Sequence, residues 1–302
     1  MGARRGGRER RRDPAPRPDA ASRREEAPPP ANGPRAVMPR LGPYWPFVWL
    51  ALLLLGVYRL PPDTSLRDVE SVGVLRVCVP AAQPPLATGE DDAPGIEVEL
   101  LRSLASRAGW RLQLVTNQAI GRGFDPRNWR LTRAQCSVVA GGVVTTQTTR
   151  SFLDTTEPHL ETGWAFVARE GATLDGAAVG FLAALAGLDR IALSRDLRAR
   201  GATVTLFGAY DELVAAMTDG EVEAAVTEAL TARRLARDLG PGYAATWLTP
   251  PQERYGVALG IWKGDLTLKR RLERELAAMR RDGTLAGILA SYDLGPIGEP
   301  GE

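Results

Sequence analysis

The chain has 302 residues, 44% hydrophobic and 25% charged, which is enough for two domains with a substantial core. Its formal net charge of +2 hides an asymmetry: residues 1–40 hold 11 of the 38 basic groups and 5 of the 36 acidic ones, so the remainder is mildly acidic, which argues against nucleic acid as the partner of the folded part. A single histidine excludes a histidine-rich metal site, and two cysteines cannot build a structural zinc site alone, though they can form one disulfide in an oxidising compartment.

Residues 1–43 are expected to be a disordered Arg- and Pro-rich tail, because 1–37 carry almost no large apolar side chains to offset the entropy of ordering. Met38 is a second candidate for the start of translation. Tyr44–Leu60 is the one membrane-scale apolar run, uncharged until Arg59 and carrying Tyr44, Trp45, Trp49 and Tyr58 towards its ends. No small-x-small cleavage site follows it, so it is expected to be an uncleaved transmembrane signal anchor over 44–60. The arginine-rich side then stays in the cytoplasm and the body lies outside.

Residues 61–72 are read as a linker. Val74–Val79 is a strand, Pro80–Pro94 a loop, and Gly95–Ala108 a helix whose apolar face is Ile96, Val98, Leu100, Leu101, Leu104 and Ala108. Trp110–Val115 alternates as a strand does. Ser137–Ala140 is a further strand that runs into Gly141-Gly142, a threonine-rich turn and Arg150. Trp164–Ala168 exits toward a second unit: strands at 178–181, 203–207 and 223–227, with helices at 183–200, 210–219 and 229–238. Arg254–Ile261 returns to the first unit, and Leu266–Met279 is a long amphipathic helix. Strands alternating with helices imply βαβ units and a mainly parallel sheet.

The segment from Cys136 to Gly163 carries the most chemistry. A glycine pair allows close approach of backbone to a ligand. Thr145 and Thr146 offer hydroxyls, and Arg150 offers a planar fork of donors suited to a carboxylate. The alternative is a polar loop with a solvated arginine.

This segment resembles the ligand loop of the type 2 periplasmic solute-binding proteins, solute-binding family 3. The matching residues are Gly142–Arg150, Asp154–His159 and Glu161-Thr162-Gly163; Gly95–Leu100 and Asp282–Leu285 with Ile288–Tyr292 repeat other family motifs in order. The resemblance implies an α/β, two-lobed periplasmic-binding-protein-like fold of type 2, here preceded by a single transmembrane or signal-anchor helix. Lobe one would be 73–167 plus 258–294, lobe two 168–257, and 295–302 a tail, with the ligand cleft between the lobes. It further implies a ligand set of Gly142, Thr145, Thr146 and Arg150 for a carboxylate, and Glu228 for a ligand ammonium. The other reading of Glu228 is a helix N-terminal residue favoured by the dipole. Leu86 stands where the family has an aromatic clamp, His159 replaces a tyrosine, and 179–184 lack the family's threonine pair. These departures point away from a standard α-amino acid.

Leu75–Cys78 and Arg133–Gly141 also resemble the branch of this fold associated with quinoprotein dehydrogenases. In an exported body of this fold Cys78 and Cys136 fall on strands lying side by side, which implies a disulfide; two separately buried core cysteines are the alternative. The functional expectation is a membrane-anchored solute-binding protein of an ABC-type uptake system for a small carboxylate or amino acid. It would sit in the inner membrane with its body in the periplasm and partner an ABC permease. The alternative is a periplasmic accessory protein of a quinoprotein (methanol-type) dehydrogenase. No cofactor and no catalytic role are expected, because no nucleophile–base pair is evident and one histidine limits general bases.

Overall fold

The computed structural model describes residues 44–59, 62–120, 126–183, 185, 187–248, 252–292 and 297–299. The tail expected over 1–43 and most of the tail at 295–302 lie outside them. The described residues fall into two units, divided between Leu60 and Pro61. In the first, α1 (Trp45–Tyr58) is 14 residues long, has Pro46 in its first turn and buries none of its side chains. At 1.5 Å per residue it spans about 21 Å, short of a bilayer's roughly 30 Å hydrocarbon core. Among the described residues no helix is long and apolar enough to cross a membrane.

The second unit corrects one expectation at its start. Part of the segment read as a linker, 61–72, is a helix, α2 (Ser65–Val72), which buries Val69. Its own sequence is a weak helix signal; it is held by tertiary contact with α8 (Leu266–Arg281). Asp63 accepts hydrogen bonds from the Ser65 and Thr267 backbone amides, and the Ser65 and Thr267 hydroxyls lie 3.1 Å apart. These donors hold the Asp63 carboxyl down at about 2 against the opposing effect of desolvation.

The body is built on ten strands. They are β1 (Val74–Val79), β2 (Arg111–Thr116), β3 (Val138–Val144), β4 (Leu153–Thr155), β5 (Leu160–Arg169), β6 (Ala178–Leu182), β7 (Thr203–Phe207), β8 (Ala224–Glu228), β9 (Tyr243–Trp247) and β10 (Arg254–Trp262). The order is β2-β1-β3-β10-β5-β8-β6-β7, with β4 added beside β10 and β9 beside β5. Pairs β1–β2, β1–β3, β6–β7 and β6–β8 are parallel, as βαβ units require; β5 and β10 run antiparallel to their neighbours.

Two strands join the lobes. β5 pairs with β10 through residues 160–163 and with β8 through 164–168. β10 pairs with β5 through 254–257 and with β3 through 257–261. Each strand therefore leaves one sheet for the other near its middle, at Gly163-Trp164 and at Val257. In the first lobe α3 (Ile96–Ala108), α8 and α9 (Thr284–Ser291) cover one face. Leu268, Leu272, Leu276 and Met279 recur at helical spacing on α8 and pack with Leu75, Val77, Leu100, Leu101 and Leu104. Tyr292, just past α9, donates its hydroxyl to Glu99 and accepts from the Gly95 amide, tying the chain's later helices to the start of α3.

Behind β1 and β3 lies a second, smaller cluster that includes Cys78, Trp129, Cys136, Val139, Val143, Leu153 and Trp262. Cys78 and Cys136 are joined there as a disulfide, with Cα atoms 5.6 Å apart, and both are fully buried. The Trp262 indole donates to the Cys136 carbonyl at 2.7 Å. In the second lobe, α5 (Arg190–Ala199), α6 (Tyr210–Asp219) and α7 (Ala229–Leu239) cover the sheet. The helix expected over 183–200 begins only at Arg190, with Asp189 as its cap accepting from the Ile191 and Ala192 amides. Leu185 and Leu188 before it are apolar for another reason, the lobe junction.

Candidate functional site

The expected ligand residues fall around the place where β3 ends and the two crossing strands meet. β3 does not stop at the glycine pair: it continues through Gly141 and Gly142 to Val144. Both glycines have positive φ, +91° and +95°, a backbone that other residues rarely adopt. A Cβ at Gly141 would meet the Pro80 ring at 2.1 Å, and one at Gly142 would meet Leu185 at 2.4 Å and Leu86 at 3.1 Å.

The amides these glycines present are already engaged. Oε2 of Glu97, in the first turn of α3, accepts from the Gly141 amide at 2.5 Å and from the Gly142 amide at 2.6 Å. Its Oε1 lies 2.9 Å from Nε2 of His159, and both side chains are fully buried. Gly142, expected to donate to a ligand carboxylate, therefore donates to a carboxylate of the chain itself. One residue joins the start of α3, the end of β3 and the loop before β5.

Thr145 follows on β3's exit. Its backbone amide donates to the Gly256 carbonyl, and its hydroxyl accepts from the Gly256 amide at 3.2 Å. Thr146 caps α4 (Gln147–Phe152), its hydroxyl accepting from the Thr149 amide at 3.2 Å. Arg150 stands in the last turn of α4 and is exposed. Its guanidinium makes no hydrogen bond or ion pair with any described residue.

Glu228 comes from the opposite lobe, at the end of β8. It is the N-cap of α7 and is 1% exposed. Oε1 accepts from the Thr162 hydroxyl and the Leu230 amide, and Oε2 from the Thr231 amide and hydroxyl. Burial pushes its carboxyl up, outweighing these four donors. The helix-terminal reading thus describes its contacts. Thr162 lies opposite Tyr255 in the strand register, next to Gly256, so Glu228 and Thr145 stand at neighbouring points of the β5–β10 crossing. No described contact ties Arg150 to Glu228.

Glu228→Ala is expected to cost about 2 kcal/mol, the upper end of the range for losing a helix N-cap, since the Thr162 and Thr231 hydroxyls can rotate to other acceptors. Because burial raises this carboxyl, its contribution to stability is fullest below its ordinary value of 4.5 and falls as pH rises through the raised one. Glu228→Gln should flatten that part of the stability–pH curve; urea titrations from pH 4 upward read it, and an unchanged slope would refute the assignment.

Across the junction the two lobes meet through leucines. Leu86 from the first lobe packs in one cluster with Leu185, Leu188 and Leu230 from the second, and with Trp164 on β5. Gly187 approaches Val144 and Thr146, at 3.6 and 3.8 Å from the position its Cβ would take. The order of elements, the crossing strands and this junction define a two-lobed fold with the loop 142–150 at its seam.

Residues 75–295 match the bacterial extracellular solute-binding proteins, family 3. The chain belongs to that family. Among solved structures, this family-3 protein is similar to an ancestral cationic amino acid solute-binding protein, at 18% identity over 76% of this chain and 99% of that one, with a TM-score of 0.62. An ancestral amino acid-binding protein described as a precursor of cyclohexadienyl dehydratase matches at 18% identity, 76% and 99% coverage and a TM-score of 0.56. An ABC uptake transporter substrate-binding protein from Streptococcus pneumoniae, with bound histidine, matches at 14% identity, 76% and 96% coverage and a TM-score of 0.58. At these identities the likeness speaks to the fold alone. No curated protein matches the sequence.

The sequence reading missed Glu97 as part of this family-3 protein's loop. Its signal was present: an acid between Ile96 and Val98, all three buried, is a carboxylate in an apolar register and needs a partner. The partner, an amide pair 44 residues later, is visible only in the fold.

Proposed function

We propose that this chain is an extracytoplasmic solute-binding protein of an ABC-type uptake system, with a small carboxylate or amino acid as its ligand. The 44–60 segment holds it at the inner membrane, and the body lies in the periplasm with an ABC permease as its partner. Family membership supports the class. The single observation that carries the ligand reading is Arg150: an exposed guanidinium, without a described partner, on the helix that continues from the loop at the lobe seam. Thr145 supports it, since its hydroxyl accepts from Gly256 and keeps its own proton to donate. Lobe closure would remove water from such a pair and strengthen it.

Arg150→Ala is expected to keep the fold, because the side chain is exposed, and to weaken binding by roughly 30-fold or more, the low end of truncating one partner of a shielded charge pair. Arg150→Lys should recover little, since lysine cannot form the bidentate fork. Calorimetric titration of the acid found in a thermal-shift screen measures this, with circular dichroism as the folding control. Full affinity in folded Arg150→Ala would remove the loop from the site. N-terminal sequencing of protein from the membrane fraction tests the anchor; a chain beginning after residue 60 would make the segment a cleaved secretory signal.

A binding role is favoured over a dehydratase-like one because His159, the chain's one histidine, is buried against Glu97. A second reading, a periplasmic accessory protein of a quinoprotein dehydrogenase, draws support from one observation, the Cys78–Cys136 disulfide. Binding of such a dehydrogenase that survives Arg150→Ala, with no small acid bound, would favour it.

A further inference from the structure

An α-amino acid brings two charges into a cleft, and each needs a partner once water leaves. A carboxylate has about four lone-pair sites. Glu228 fills its four with the Thr162 hydroxyl, the Leu230 amide, and the amide and hydroxyl of Thr231. Glu97, the other fully buried carboxylate at the seam, holds the Gly141 and Gly142 amides on one oxygen and faces His159 with the other. Asp189 is engaged as the cap of α5, accepting from two backbone amides at 2.9 Å. Glu161 lies 3.9 Å from the Arg254 guanidinium. The carboxylates that the fold gathers around the crossing strands thus have donors or cations of their own.

Apart from the Arg233 guanidinium near Glu228 and Glu161, the side chains that meet across the seam are apolar. Leu86 and Leu185 both stand over Gly142, and Leu188 and Trp164 belong to the same cluster. A cationic ligand group entering there would lose its hydration without gaining an anion, and burying an unpaired charge is costly. Among the described residues of the loop at this seam, Arg150 carries a charge of the opposite sign, with no hydrogen bond or ion pair.

We propose that the cleft takes an apolar carboxylic acid without an ammonium group, a plain, hydroxy or keto acid with an aliphatic or aromatic tail, in preference to the matching α-amino acid. The acid's carboxylate pairs with Arg150, and its tail displaces the leucine contacts between the lobes as they part. This rests on the receptor reading above and names the class of its ligand.

The test is calorimetric titration of the full chain with matched pairs: leucine against 4-methylpentanoate, phenylalanine against 3-phenylpropanoate, and arginine against 5-guanidinopentanoate. The expected result is that the deaminated acid of the leucine or phenylalanine pair binds at least tenfold more tightly than its amino acid, about 1.4 kcal/mol. Its affinity should fall in the Arg150→Ala variant. If the amino acid of any pair binds as tightly or more tightly, and loses affinity in Arg150→Ala, the ligand class is overturned while the receptor reading stands. If no member of any pair binds, both are overturned.

Discussion

Glu97→Ala is expected to destabilise the body by about 2–6 kcal/mol, the largest effect of any single substitution at the seam. The substitution removes the acceptor of two buried amides, those of Gly141 and Gly142, and each unsatisfied buried donor costs about 1–3 kcal/mol. The glycines sit in a confined place, since a Cβ at Gly141 would meet Pro80 and one at Gly142 would meet Leu185 and Leu86. His159 would also lose the carboxylate oxygen that lies 2.9 Å from its Nε2. Against a typical total stability of 5–15 kcal/mol, the loss would leave a poorly folded chain. Glu97→Gln should fall between, since its amide oxygen can still accept. Urea unfolding followed by circular dichroism reads both. A loss under about 1 kcal/mol in Glu97→Ala would mean that the glycine amides find another acceptor, and that the loop does not depend on this carboxylate.

Much of the fold was legible because the signals were local. Leu268, Leu272, Leu276 and Met279 recur at helical spacing, and the structure places all four in the core. The strand at Thr203–Phe207 and the helix at Tyr210–Asp219 fall on the expected residues. Errors arose where burial had a cause outside the element. Leu185 and Leu188 are apolar because they meet the other lobe, so 183–189 looked like helix without a helical period. α2 looked like a linker because its stability comes from Asp63 and Ser65 reaching Thr267, about two hundred residues away.

The site was less legible, for a related reason. Residue type and spacing indicate what a side chain can do, and not whether another part of the chain has already engaged it. Glycine amides, a threonine-rich turn and an acid after a strand are all consistent with a ligand set. In the fold, Gly142 donates to Glu97, Thr146 caps α4 and Glu228 caps α7. Among the described residues of this loop, the Arg150 guanidinium and the Thr145 proton have no partner, and the proposed ligand site rests on them. A loop can therefore keep the pattern of a ligand grip while its donors hold the loop itself together.

Breaking the Cys78–Cys136 disulfide is expected to cost about 4 kcal/mol. The bond closes a loop of 58 residues, and in the chain-entropy account a 15-residue loop is worth about 3 kcal/mol and a 100-residue loop about 4.7. The stabilisation acts mainly by restricting the unfolded chain, so the variant should also expose more surface on unfolding and show a steeper urea dependence. A double Cys78→Ala, Cys136→Ala variant separates this effect from that of an unpaired buried thiol. The two methyl groups leave a modest void among Trp129, Leu131, Val139 and Trp262, which adds to the cost. Urea titration of the oxidised chain, the chain unfolded and refolded in reductant, and the double variant gives the three stabilities. The reduced chain and the double variant should both lie well below the oxidised one, and thiol labelling of unfolded, unreduced protein should find no free cysteine. Two labelled thiols in protein taken from its native compartment would remove the bond. They would also remove support for an oxidising compartment, since such bonds persist outside the reducing cytosol.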